Sequence, residues 1–291
     1  MDSAVRRMSS FAFLPVLAVV LAANSVVGFI APSVHVAPSH VAPSAWQGVK
    51  HATCRSRCRV RSESGLRWRG QSTGLSMIDP HVLRLQAAEL GSRLKGTNLF
   101  FVGMMGTGKS TVARSLADVM GRYIFLDTDS IIEELLGASV GEVFATDGEE
   151  AFRSVESQVL DQVHSYVKTC IATGGGIVTE ARNWGRMQTG VVVWLDMETK
   201  DIVERLMQDP EQVAKRPLLA GDDPEASLDA LMEKRRSQYA QADVTVKLDA
   251  GDDVDEVTLN VVNSVLEFID SNPPKWQQWK EKAREAGIEW A

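Results

Sequence analysis

Eight consecutive residues can cradle a phosphate: Gly103-Met104-Met105-Gly106-Thr107-Gly108-Lys109-Ser110 fits the pattern GxxxxGK[ST]. Glycines let such a loop curl until its backbone N–H groups point inward at phosphate oxygens. A helix opening near Lys109 adds the positive end of its dipole. Lys109 reaches the outer phosphates, and the Ser110 hydroxyl is a ligand for Mg²⁺. The neighbours match the requirement. The apolar run Leu99-Phe100-Phe101-Val102 leads in, and the amphipathic stretch with Val112, Leu116, Ala117 and Met120 leads out. Gly106, Gly108, Lys109, Ser110 and Thr111 are therefore the candidate ATP-binding residues.

Further chemistry lies downstream. Phe125-Leu126 runs into Asp127-Thr128-Asp129, two acids one residue apart at a predicted strand end, where a parallel sheet opens its ligand crevice. One carboxylate can turn back toward Mg²⁺ and the other toward an acceptor. Equally, they can cap a helix starting at Ser130, and Asp129 can do both. Arg153 and Glu156 stand i and i+3 on a predicted helix, an ion pair or a bidentate holder for a substrate carboxylate. Thr173 is followed by Gly174-Gly175-Gly176, an entropically costly run whose use is close approach of backbone to a ligand. Arg216-Pro217-Leu218-Leu219 sits between Pro210 and Gly221-Asp222-Asp223-Pro224, the pattern of a lid that delivers an arginine to a transferring phosphate. Arg235 precedes Tyr239 by one helical turn.

Alternating strand and helix signals must position these groups. A helix is predicted over His81–Lys95, and β-rich runs over Asn98–Val102, Tyr123–Leu126, Thr169–Ala172, Val191–Leu195 and Val244–Leu248. Helical stretches fall at 109–120, 149–167, 199–208, 225–241 and 254–270. Repeated β-α units imply an α/β fold with a parallel five-stranded sheet flanked by helices on both faces.

The net charge of −7 conceals two unlike parts. Residues 1–78 carry nine Lys or Arg against Asp2 and Glu63, a balance of +7, so the remainder, with 22 basic and 36 acidic residues, is −14. An acidic body repels polyanions, which argues against a nucleic-acid partner. In the leader, Arg6 and Arg7 precede the apolar stretch Phe11–Ala23, a signal-peptide pattern over residues 1–30 that is too short for a confident membrane span. Residues 31–78 are rich in Ser, Ala, Pro and Arg, as transit peptides are. The pair resembles the bipartite leaders of algae with secondary plastids, whose cleavage region Val27-Gly28-Phe29-Ile30-Ala31-Pro32 is similar to, implying plastid import and no stable membrane association afterwards. A secreted protein with a basic linker is the alternative.

Of three cysteines, only Cys170 lies in the body, within an apolar run, and it is expected to pack as a small buried hydrophobe. Residues 79–96 form an N-terminal helix and linker, 97–272 the catalytic domain, and 273–291 a tail bearing Trp276, Trp279 and Trp290, which docks on the domain itself or contacts a protein partner.

The ordered set of phosphate loop, D-x-D strand end, F-R-x-x-E helix, triple glycine, R-P-L-L lid and R-x-x-x-Y helix resembles the shikimate kinases over residues 97 to about 270. The resemblance implies a P-loop kinase fold with a lid and an acceptor-binding helical region. It implies transfer of the γ-phosphoryl group of ATP, with Mg²⁺, to the 3-hydroxyl of shikimate. Lys109, Asp129 and Arg216 would be catalytic, with Arg216 also on ATP, and Ser110 and Asp127 would hold Mg²⁺. Asp129, Arg153, Gly174, Gly175, Gly176 and Arg235 would bind the acceptor. The segment before the lid is longer than in compact members, which leaves Arg205 as a weak candidate for contacting adenine. A gluconate kinase and an inactive kinase-like regulatory protein are the rival readings.

Overall fold

The computed structural model describes residues 78–208 and 223–273. The leader, Arg216 with its lid, and the tail tryptophans lie outside the described residues.

Three strands with unbroken apolar faces form the centre of one sheet: β1 (Leu99–Val102), β3 (Thr169–Ala172) and β4 (Val191–Met197). Two strands flank them, β2 (Ile124–Asp127) and β5 (Val244–Leu248), and the spatial order is β2-β3-β1-β4-β5 with every pairing parallel. Strands covered on both faces need continuous hydrophobic runs, and β5, at an edge, alternates instead between buried and exposed. Leu99 sits level with both Cys170 and Val191, so β1, β3 and β4 share one register, and the loop after β1 emerges beside the loop after β3. Ligand sites of such sheets lie at this carboxyl edge, where strand order reverses.

The helices in chain order are α1 (Pro80–Leu94), α2 (Lys109–Met120), α3 (Thr128–Leu136), α4 (Val140–Val163), α5 (Ala181–Met187), α6 (Thr199–Met207), α7 (Pro224–Tyr239) and α8 (Val254–Ser271). Helix α1 starts as its sequence dictates, with the Asp79 side chain accepting from the His81 N–H and Pro80 in the first turn. Its stripe of Leu83, Ala87, Leu90 and Leu94 is buried against α2 and α8, and Arg93 pairs with Asp270 of α8. The N-terminal segment is thus part of the domain's packing. Cys170 is fully buried in β3, as expected of a small hydrophobe. Among the described residues no helix is long and apolar enough to cross a membrane.

Two helical regions depart from the sequence expectation. Helix α4 spans Val140–Val163, and Gly148, at φ 84° and ψ 170°, breaks it into two segments, of which only the second, from residue 149, was expected. Its true start carries a capping box, with Ser139 and Glu142 bonded reciprocally. Helix α3 begins at Thr128 and not at Ser130, and its cap is Asp127: Oδ1 accepts from the N–H groups of Asp129 and Ser130 at 3.0 and 3.3 Å. Asp129 is therefore relieved of capping.

Candidate active site

The phosphate loop is built by contacts at both ends. Gly106 adopts φ 80°, and a Cβ there would fall 2.9 Å from the Leu206 side chain of α6, so no other residue fits the turn. Gly108 supplies the left-handed N-cap from which α2 departs. The Met104 carbonyl gathers two side chains, Thr107 Oγ1 at 2.9 Å and Lys109 Nζ at 2.8 Å, which curls the loop over a buried ammonium group. Ser110 Oγ donates to Asp127 Oδ2 at 2.5 Å. Asp127 thus caps α3 with one oxygen and faces the phosphate-loop serine with the other. Thr111 lines a cleft with Thr107, Gly108, Arg205, Leu248 and Asp252. Arg205 borders Gly108 there.

A second group of side chains converges on the triple glycine. Arg153 donates from Nη1 to Glu156 Oε2 at 2.8 Å and from Nη2 to Glu149 Oε1 at 3.2 Å. Its side chain is 13% exposed and that of Glu156 0%, whereas Glu149 is 66% exposed, so the Glu156 pair is the buried one. The guanidinium also lies against the rings of Phe152 and Phe144, 5.3 and 5.7 Å from their centroids. Burial pushes the Glu156 carboxyl up, against the pull of Arg153. Asp129 is pushed up to about 7, first by burial and then by the charges of Asp127 and Glu156, with Lys109 pulling the other way. Arg235 Nη1 and the Tyr239 hydroxyl both donate to the Gly175 carbonyl, at 3.1 and 2.6 Å.

Gly174 and Gly176 are also required by crowding side chains, and Gly175 by neighbouring backbone. A Cβ on Gly174 would lie 2.7 Å from Asp129 Oδ1 and would also overlap Glu156. A Cβ on Gly176 would overlap the Arg153 guanidinium. Gly175 lies against the phosphate loop itself, its missing Cβ 3.4 Å from the Gly103 carbonyl oxygen and 3.5 Å from the Met105 nitrogen. Gly174 N–H donates to the buried Thr128 Oγ1 at 3.1 Å. Replacing Gly176 by alanine is expected to displace Arg153, raising the acceptor KM by about tenfold or more while the ATP KM stays within about twofold, since a lost charged hydrogen bond is worth roughly 1.5–3 kcal/mol. Steady-state kinetics with each substrate varied in turn check this.

Three buried polar atoms here have no hydrogen-bond partner among the described residues: Asp129 Oδ1, Glu156 Oε1 and Arg153 Nε. Buried polar groups are ordinarily paired, so a cluster of orphans in one place marks a site built to receive a polar ligand. An anion cradle, a buried guanidinium–carboxylate clamp and a carboxylate that titrates near neutrality stand together. That combination can hold a nucleotide's phosphates on one side and a hydroxylated acid on the other.

The model of the family described as "Shikimate kinase" matches residues 105–267. The chain belongs to the shikimate kinase family. A shikimate kinase of a Synechococcus species is 48% identical over 179 residues, which cover 61% of this chain and 90% of the relative. That of Gloeobacter violaceus is 49% identical over 153 residues, covering 53% of this chain and 84% of the relative. Among solved structures, the shikimate kinase from Acinetobacter baumannii in complex with shikimate is 34% identical, with a TM-score of 0.55 over 64% of this chain and 99% of that one.

Of the residues expected from sequence to form the site, Gly106, Gly108, Lys109, Ser110, Asp127, Asp129, Arg153, Gly174, Gly175, Gly176 and Arg235 all lie in or beside these two converging groups. Arg216 lies outside the described residues. Sequence reasoning passed over Met104 and Thr128, whose contributions run through a backbone carbonyl and a buried hydroxyl. For Thr128 a signal existed, since it separates the two acids of the D-x-D strand end.

Proposed function

We propose that this protein transfers the γ-phosphoryl group of Mg-ATP to the 3-hydroxyl of shikimate, giving shikimate 3-phosphate and ADP. The observation that carries this reading is the contact of Gly175 with the phosphate loop while its neighbours Gly174 and Gly176 line Asp129, Glu156 and Arg153. Donor and acceptor halves of an in-line transfer meet at that glycine. Arg153 holds the acceptor's carboxylate, backed by Glu156, and Arg235 assists from α7. Asp129 orients the hydroxyl and takes its proton, a role suited to a carboxylate titrating near 7. Lys109 leaves the Met104 carbonyl to meet the phosphates, and Arg216 adds charge from the lid. The transition state is loose, so positioning and charge stabilisation supply most of the rate.

Ser110 and Asp127 fit a magnesium ion, which takes one or two protein oxygens and fills its remaining positions with phosphate and water. Bound there, the metal neutralises charge on the phosphates. Asp127→Asn keeps an oxygen for the cap and loses the charge. It is expected to raise the Mg²⁺ concentration needed for half-maximal turnover about tenfold with little change in melting temperature. Asp127→Ala loses the cap as well, for about 1 kcal/mol of stability. Mg²⁺ titrations of turnover beside thermal melts separate the two contributions.

The leader supports import into a plastid, reached through a signal peptide followed by a transit peptide. Residues 1–78 fused to a fluorescent protein would accumulate in the plastid of an alga with a secondary plastid, and secretion of the fusion would overturn this.

Release of ADP from Mg-ATP, followed with shikimate, with gluconate and with neither, tests the activity. Turnover that depends on shikimate is expected. Turnover driven by gluconate would move the assignment to another polyol acid, and ATP binding without acceptor-stimulated turnover would move it to a regulatory protein.

A further inference from the structure

Tyr239 is fully buried at the end of α7, one turn after Arg235, and it touches both halves of the site. Its hydroxyl donates to the Gly175 carbonyl at 2.6 Å, the same oxygen that receives Arg235 Nη1 at 3.1 Å. That hydroxyl also lies 3.7 Å from Met104 Sδ, and Met104 is the residue whose carbonyl organises Thr107 and Lys109. The phenol ring stacks on Trp194 of β4, centroids 5.7 Å apart and planes at 17°, which holds the phenol oxygen in place. Gly175 is pressed on its other side against the backbone of Gly103 and Met105.

We infer that Tyr239 is a positioning residue for phosphoryl transfer, acting through the Gly175 carbonyl on Arg235 and through Met104 on the phosphate loop. This rests on the acceptor reading given under Proposed function. A carbonyl oxygen with two donors is held in direction by both, and the short phenol bond leaves the longer guanidinium bond as the adjustable one. Arg235 then keeps its remaining N–H groups directed at an acceptor carboxylate. Without the phenol oxygen, Gly175 leans on Arg235 alone, and the guanidinium is drawn toward the loop at the expense of the substrate. Any buried phenol needs an acceptor; what points to positioning is that this acceptor is the carbonyl that also receives Arg235.

Tyr239→Phe removes one oxygen and retains the stack, so its melting temperature is expected within a few degrees of wild type. Kinetics taken well below that midpoint, on protein whose fold is verified by circular dichroism, report position and not unfolding. The variant is expected to raise the shikimate KM by about five- to tenfold, the scale of one hydrogen bond. The ATP KM should change by less than about twofold. The deciding readout is a double-mutant cycle with Arg235→Ala, in which Tyr239→Phe adds less than about twofold to the acceptor KM because the group it positions is gone. An unchanged acceptor KM in the single variant, or the same fold-increase with and without Arg235, overturns the positioning role and leaves a core residue. A wild-type protein that does not use shikimate overturns the acceptor reading and this role with it, so the two failures are told apart by the wild-type control.

Discussion

Replacing Asp129 by asparagine is expected to make the protein more stable at neutral pH and nearly inactive. The carboxyl is buried, has an unpartnered oxygen, and sits beside the charges of Asp127 and Glu156, which together push it up to about 7 from an unfolded value of 3.8. The sign follows from proton counting. Between pH 3.8 and about 7 the folded protein holds a proton that the unfolded chain has released, so stability contributed by this group falls as pH rises through that window. Above pH 7 the cost is fully present, up to roughly 4 kcal/mol at 1.36 kcal/mol per pH unit. Asp129→Asn removes it. The variant's melting temperature should therefore exceed wild type most clearly at pH 8 and converge with it near pH 4, about the unfolded value. The same ionisation governs rate in the opposite direction. Wild-type kcat/KM for shikimate should fall on the acid side with an apparent pKa near 7, because the base must be ionised to take the hydroxyl proton. Asp129→Asn should lose roughly 10²–10⁴-fold in kcat, the usual contribution of general base catalysis. A variant less stable than wild type at pH 8 would contradict the burial argument.

Arg153→Ala should produce the second large effect, damaging both acceptor use and stability while sparing ATP. Two losses combine. The acceptor carboxylate loses a bidentate cation, worth about 1.5–3 kcal/mol for each charged hydrogen bond, so kcat/KM for shikimate should fall by roughly 10²–10³-fold. Glu156, fully buried, loses its guanidinium partner, and breaking a buried pair from one side costs about 3–5 kcal/mol. The two losses can be separated. Adding Glu156→Gln to Arg153→Ala removes the stranded charge and should recover much of the melting temperature but none of the acceptor affinity. Nucleotide Kd should stay within about twofold throughout, because Lys109 and the phosphate loop hold their own contacts. Equal loss of ATP and shikimate binding would mean that Arg153 supports the whole domain and not the acceptor half.

How far sequence leads here depends on the range of the interactions involved. The phosphate loop, the five strands and the Arg153–Glu156 pair are local patterns, set by period and by spacing of three or four residues, and the structure reproduces them. The cap of α3 stayed open between Asp127 and Asp129 because the two candidates stand two residues apart. Only the backbone angles, extended at Asp127 and helical from Thr128, decide which one faces the free N–H groups. The turns of α4 before Gly148 were missed although Ser139 and Glu142 announce them, whereas the stretch after that glycine was expected from residue 149. The reason for Gly176 could not be read at all. It is an arginine 23 residues earlier, brought over the glycine by α4, and such contacts exist only once the sheet is assembled. The same holds for Tyr239, whose partner carbonyl lies 64 residues away.

The central claim is transfer to one hydroxyl of one acceptor. Phosphorus-31 NMR of a completed reaction containing the full chain, Mg-ATP and shikimate tests it most directly, with proton–phosphorus coupling locating the ester. One new phosphomonoester on the 3-position is expected, formed in equal amount with ADP and roughly 10²–10⁴-fold more slowly in Asp129→Asn. ADP accompanied by inorganic phosphate alone, or an ester on another hydroxyl, would contradict the arrangement of Asp129, Arg153 and the phosphate loop described here.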